Sequence, residues 1–128
     1  MTTVREFRVA VTVADFDAAL KLYRDTFGMP LVESWDTQEG RGAVLELPRA
    51  TLELLDVEHS HWVDESEVGR RLGQHVRFAL EVEDVVAAGR EVSEAGPEPV
   101  APVAHTPWGH LNLRMKTTDG MQLTLFQT

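Results

Sequence analysis

The sequence predicts an α+β fold: two β-α-β-β-β modules forming a cup-shaped curved sheet, with helices on the outer face. Three observations predict it. Residues 7–28, FRVAVTVADFDAALKLYRDTFG, read as a strand running straight into a helix. The pattern returns at 75–96, HVRFALEVEDVVAAGREVSEAG, where Leu80 to Asp84 lies over Val11 to Asp15 at an offset of 69 residues. The unit ends match too, with Met121 to Phe126 over Ala50 to Leu55. Such self-similarity in a short chain means two copies of one unit.

The elements follow in order. Val9, Val11 and Val13 alternate with Arg8, Ala10 and Thr12, the period of a half-buried strand. Asp15 offers a helix N-cap. Phe16, Leu20, Tyr23 and Phe27 then mark an apolar helical stripe, which Gly28 and Pro30 end. Leu31–Asp36, Ala43–Leu47 and Thr51–Val57 are predicted strands, with a turn at Thr37–Arg41. The second copy has a strand over 75–82, a helix over 84–95 and a proline-interrupted strand over 97–103. Strands at 110–115 and 121–127 complete it. The expected organisation is one domain over 1–128. Its first module is 7–57, its connector 58–74 with a short helix in DESEVGRRL, and its second module 75–128.

Composition narrows the function. A net charge of −9 argues against nucleic acid or an anionic membrane, because phosphate binding needs a basic face. It leaves room for an anionic ligand in a locally basic pocket. With no cysteine there is no disulfide, thiolate metal site or cysteine nucleophile. There is no basic-then-apolar leader and no apolar run of membrane-spanning length, so a soluble cytoplasmic protein is expected.

The stretches VTVADFDAALKLYRDTFGM, FALEVEDV and TPWGHLNLRMKTTDGMQLTLF resemble the vicinal oxygen chelate superfamily, the fold of glyoxalases, bleomycin resistance proteins and extradiol dioxygenases. The resemblance spans nearly the whole chain. It implies paired modules, a homodimer and, in metal-dependent members, four cation ligands on the cup face. Those positions fall on Arg8, Glu53, Arg77 and Thr124 here. An arginine has no lone pair to give a cation. The inherited metal site is therefore expected to be lost, and no cofactor is expected. A rebuilt divalent site from Glu53, His75 and His110 is the fallback.

Two arginines and a glutamate have three readings. Arg8, Glu53 and Arg77 can form a structural Arg–Glu–Arg lock. The arginines can hold oxygens of a ligand. Glu53 can act as a general base while Arg8 or Arg77 steadies an oxyanion. Trp62 and Trp108, in predicted loops, either line a pocket mouth or cap the core edge. Trp35 faces the cup or a subunit contact. His59 and His61 are read as a solvated pair, and the acidic DES run as surface. The sequence thus points to a binder of a flat or aromatic ligand, an antibiotic among the candidates, acting through Arg8, Glu53, Arg77, Thr124, Trp62, Trp108 and His110. A glyoxalase- or dioxygenase-like enzyme is the alternative.

Overall fold

The computed structural model describes residues 9, 13–50, 57–73 and 76–128. The chain forms two compact units, Met1–Leu54 and Leu55–Thr128. Arg8, Glu53, His75, most of the predicted first strand and residues 51–56 lie outside the described residues.

In the first unit Asp15 caps helix α1 (Phe16–Leu20), accepting from the Ala18 N–H at 3.0 Å. The helix continues as a π-helical turn over Lys21–Thr26, in which the Phe27 N–H reaches back to the Leu22 carbonyl. This wider turn departs from a uniform three-and-four spacing. Leu22 is buried, while Phe16, Leu20, Tyr23 and Phe27 are half-buried. Strands β1 (Leu31–Thr37) and β2 (Gly40–Leu45) then form an antiparallel hairpin. β2 begins three residues earlier than Ala43, because Gly40 already pairs with Thr37 and the turn closes tightly. Trp35 stands opposite Gly42, and its ring occupies the space where a Cβ would go.

The second unit opens with helix α2 (Val57–Val68), which is longer than the short helix expected in the connector. Nothing between 57 and 68 breaks a helix, and Gly69, with φ +74°, ends it. Trp62 therefore sits on a helix rather than in a loop. Strand β3 (Arg77–Glu81) leads to helix α3 (Val85–Glu94), capped by Asp84 through the Val86 and Ala87 N–H groups. The predicted strand at 97–103 becomes two short ones, β4 (Glu98–Pro99) and β5 (Ala104–His105). Prolines at 97, 99 and 102 remove ladder donors there. Strands β6 (Leu111–Lys116) and β7 (Gln122–Gln127) complete a sheet ordered β3-β7-β6-β4, with β5 also on β6. β3 and β7 run parallel; the other pairs are antiparallel.

Strand alternation gives this sheet two different faces. Phe78, Leu80, Leu113, Met115, Leu123 and Leu125 share one face by register. α3 packs there with Val85, Gly89 and Val92 buried. Arg77, Asn112, Arg114, Gln122 and Thr124 share the other face. α2 lies against β5 and β6 and places its side chains on that polar face.

Gly89 is where α3 and β6 meet most closely. A Cβ there would run into the Leu113 side chain, which is itself buried. Gly89→Ala should therefore cost about 1–3 kcal/mol through overpacking, despite alanine's better helix propensity. Urea unfolding would show the loss; an unchanged or raised midpoint would mean that α3 is not seated this closely.

Candidate functional site

The polar face of the second sheet carries a network of buried charges. Arg114, with 0% of its side chain exposed, is at its centre. Its Nε donates to Thr124 Oγ1 at 3.0 Å. Its Nη1 donates to Asp64 Oδ1 at 3.0 Å, with a longer contact to Gln122 Oε1. Its Nη2 donates to Glu67 Oε2 at 3.1 Å. Asp64 Oδ1 also receives Arg77 Nη1 at 2.8 Å. Asp64 and Glu67 come from α2 and lie one turn apart on the same face of that helix. Glu67 further accepts from Asn112 Nδ2 and Thr124 Oγ1, both at 3.4 Å.

The local fold aims these groups. Arg114 follows from strand alternation, since Leu113 and Met115 take the apolar face. Asp64 is fixed a second time by the chain beyond α2, accepting from the Leu72 N–H at 3.1 Å and the Gly73 N–H at 3.5 Å. Burial alone would raise the Asp64 carboxyl. The Leu72 N–H, the Arg114 hydrogen bond and the charges of Arg114 and Arg77 outweigh burial and hold it below the ordinary carboxylate value.

A second cluster is aromatic. Trp62 on α2 and Trp108 in the turn before β6 have ring centroids 5.3 Å apart, and His59 lies 5.2 Å from Trp62. Trp62 is 42% exposed and Trp108 37%, so each offers ring surface to a ligand. The turn is built by Thr106. Its N–H donates to the His110 carbonyl, and its hydroxyl accepts from the His110 N–H at 2.9 Å. His110 stacks on Phe126 at 5.7 Å.

Of the candidate residues, Arg77 and Thr124 meet in one network, and Trp62 and Trp108 in one cluster. Arg8 and Glu53, and with them the Arg8–Glu53–Arg77 lock, lie outside the described residues. So does His75 of the fallback metal set. At the described half of the family's metal positions the residues do not fit a cation. Arg77 has no lone pair, and the Thr124 hydroxyl is held by Arg114 and Glu67. Among the described residues no group of three His, Cys, Asp or Glu is placed to hold a metal ion.

The sequence reading missed Arg114, Asp64, Glu67, Asn112 and Gln122. One signal was available. Arg114 sits between Leu113 and Met115, on the same strand face as Asn112. The DES run, read as solvated surface, in fact places Asp64 in the interior and leaves Glu65 exposed.

The lowered Asp64 carboxyl sets a pH dependence. Its contribution to stability is complete above the unfolded value of about 4 and is lost as pH falls through the lower folded value. Urea midpoints should therefore fall between about pH 5 and pH 2, and Asp64→Asn should flatten that fall while lowering the midpoint near neutrality. Parallel pH profiles for the variant and the wild type would contradict this assignment.

The superfamily described as Glyoxalase/Bleomycin resistance protein/Dioxygenase matches this chain over residues 7–125. No curated protein matches it significantly. Among solved structures, a member of that superfamily from Sphaerobacter thermophilus is 26% identical, covers 92% of each chain and has a TM-score of 0.58. A protein of unknown function from Agrobacterium tumefaciens is 20% identical, covering 100% of this chain and 97% of its own, with a TM-score of 0.63. A lactoylglutathione lyase from Agrobacterium tumefaciens is 18% identical, covering 98% of this chain and 95% of its own, with a TM-score of 0.59. At such identities the last two speak for the fold alone. The family match covers nearly the whole sequence and agrees with the repeated strand–Asp–helix pattern: the chain belongs to the glyoxalase/bleomycin resistance protein/dioxygenase superfamily.

Proposed function

We propose that this chain binds a flat, partly aromatic small molecule and holds it without transforming it, with no divalent metal taking part. The observation that carries this reading is the exposed Trp62–Trp108 pair. Two indoles 5.3 Å apart form a surface on which a planar ligand can stack. The described metal positions support it: Arg77 has no lone pair for a cation and pairs with Asp64, and the Thr124 hydroxyl is engaged by Arg114. The net charge of −9 leaves the charge of the ligand to the local groups around the site, and planar antibiotics fall within the class of ring systems that could stack there.

A cytoplasmic homodimer belongs to the same reading. Leu31, Val32 and Trp35 of β1 are exposed and offer apolar surface for self-association. Light scattering at the mass of a single chain would rule out the dimer.

Titration with proflavine, a planar cationic ring system, should quench tryptophan emission saturably in metal-free buffer. Trp108→Ala should weaken that binding by about 0.5–1.5 kcal/mol, the worth of one aromatic contact. Unchanged affinity in Trp108→Ala, or binding that requires an added divalent metal, would defeat the proposal.

A further inference from the structure

The buried charges of the second unit are divided by element. The guanidiniums, amides and hydroxyl come from the sheet: Arg77, Asn112, Arg114, Gln122 and Thr124. Both carboxylates, Asp64 and Glu67, come from α2. One carboxylate oxygen, Asp64 Oδ1, takes Nη1 of both arginines, at 2.8 and 3.0 Å. Guanidiniums converging on a carboxylate are the usual means of recognising one. The sheet is arranged as the receptor, and the helix supplies the bound groups.

The helix does not saturate that receptor. Among the described residues, Arg77 Nη2 is a buried donor without a hydrogen-bond partner, which a further carboxylate oxygen could fill; Asn112 Oδ1, also without one, is an acceptor and takes no part in holding an anion. Nor is α2 held by much apolar surface. Val63 is the buried apolar residue among its described side chains, worth about 1.5–3 kcal/mol. Asp64 and Glu67 complete its buried face. Buried ion pairs gain little overall, because returning the ions to water offsets the lost attraction. If α2 lifts away, all four charges re-enter water together and none is left buried alone. The network therefore holds α2 in place without fixing it there irreversibly.

We propose that the polar face of the second sheet is a receptor for the carboxylate of a small aromatic ligand, and that Asp64 and Glu67 of α2 occupy it as an internal competitor. The inference rests on the small-molecule-binding reading and adds to it the charged group the ligand carries. Arg77 and Arg114 take the ligand's carboxylate when α2 gives way. Trp62 moves away with α2, so the ligand's ring stacks on Trp108 alone in this state; Trp108 stays because its turn is tied through Thr106 and His110 to the start of β6. The acidic surface does not forbid an anion at this place, since charges more than about 8 Å away are screened at physiological salt. An occupied receptor binds weakly: one that is open a tenth of the time loses about tenfold in apparent affinity.

Calorimetric titration of the full chain with naphthalene-2-carboxylate and with its neutral primary amide tests this. The wild type should prefer the carboxylate. In Glu67→Gln that preference should rise about tenfold, as the competitor loses its charge. In Arg77→Met it should disappear. Amide hydrogen exchange over 57–68 in the wild-type protein should quicken when the carboxylate is added, a readout that does not depend on any variant folding. A preference unchanged in Glu67→Gln, or exchange that slows or stays the same, overturns the proposal. Equal binding of both probes by the wild type overturns the receptor and leaves the aromatic binding site standing. Binding of neither probe overturns both.

Discussion

Arg114 is the residue on which the second unit depends. A guanidinium with no exposed side-chain surface is tolerated when carboxylates and acceptors surround it. The sheet offers hydroxyl and amide oxygens but no carboxylate within that network. The compensating charges must come from another element, and α2 is the element that brings them. This requirement accounts for several otherwise separate features. It explains why α2 faces the sheet with Asp64 and Glu67, and why Leu72 and Gly73 turn back to donate to Asp64. Arg77 is drawn to the same carboxylate.

The two faces of the sheet thus follow different rules. Toward α3 the contact is apolar and close, down to a glycine where α3 meets Leu113. Toward α2 it is ionic and hydrogen-bonded. Apolar contact resists separation because each exposed methylene costs free energy. Ionic contact resists it much less, because water replaces most of what is lost. The sheet is packed by apolar contact on one side and by ion pairs on the other, and the ionic side carries the candidate site.

Much of the fold was legible because it is written in periodicities and caps. Asp15 and Asp84 cap helices as their positions foretold, and the strands expected at 110–115 and 121–127 are β6 and β7. The site was only half legible. Arg77 and Thr124 could be placed on one face because the resemblance to the superfamily assigns both to its metal positions. Asp64 and Glu67 could not, because a helix that buries carboxylates reverses the usual apolar stripe and reads as solvated surface. What makes them interior residues is Arg114, some 50 positions away in sequence. The extent of α2 was misjudged for the same reason: without an apolar stripe, periodicity marks neither end.

The most direct measurement is a double-mutant cycle between Asp64 and Arg114, using Asp64→Asn, Arg114→Met and the pair, read by urea unfolding near neutral pH. If the ion pair organises this face, each single change leaves the other charge buried and uncompensated, at a cost of about 3–5 kcal/mol. The double variant should then be much less destabilised than the sum of the two, with a coupling of about 1–3 kcal/mol. Additive effects, within about 0.5 kcal/mol, would contradict the account and mean that α2 is held by something other than Arg114.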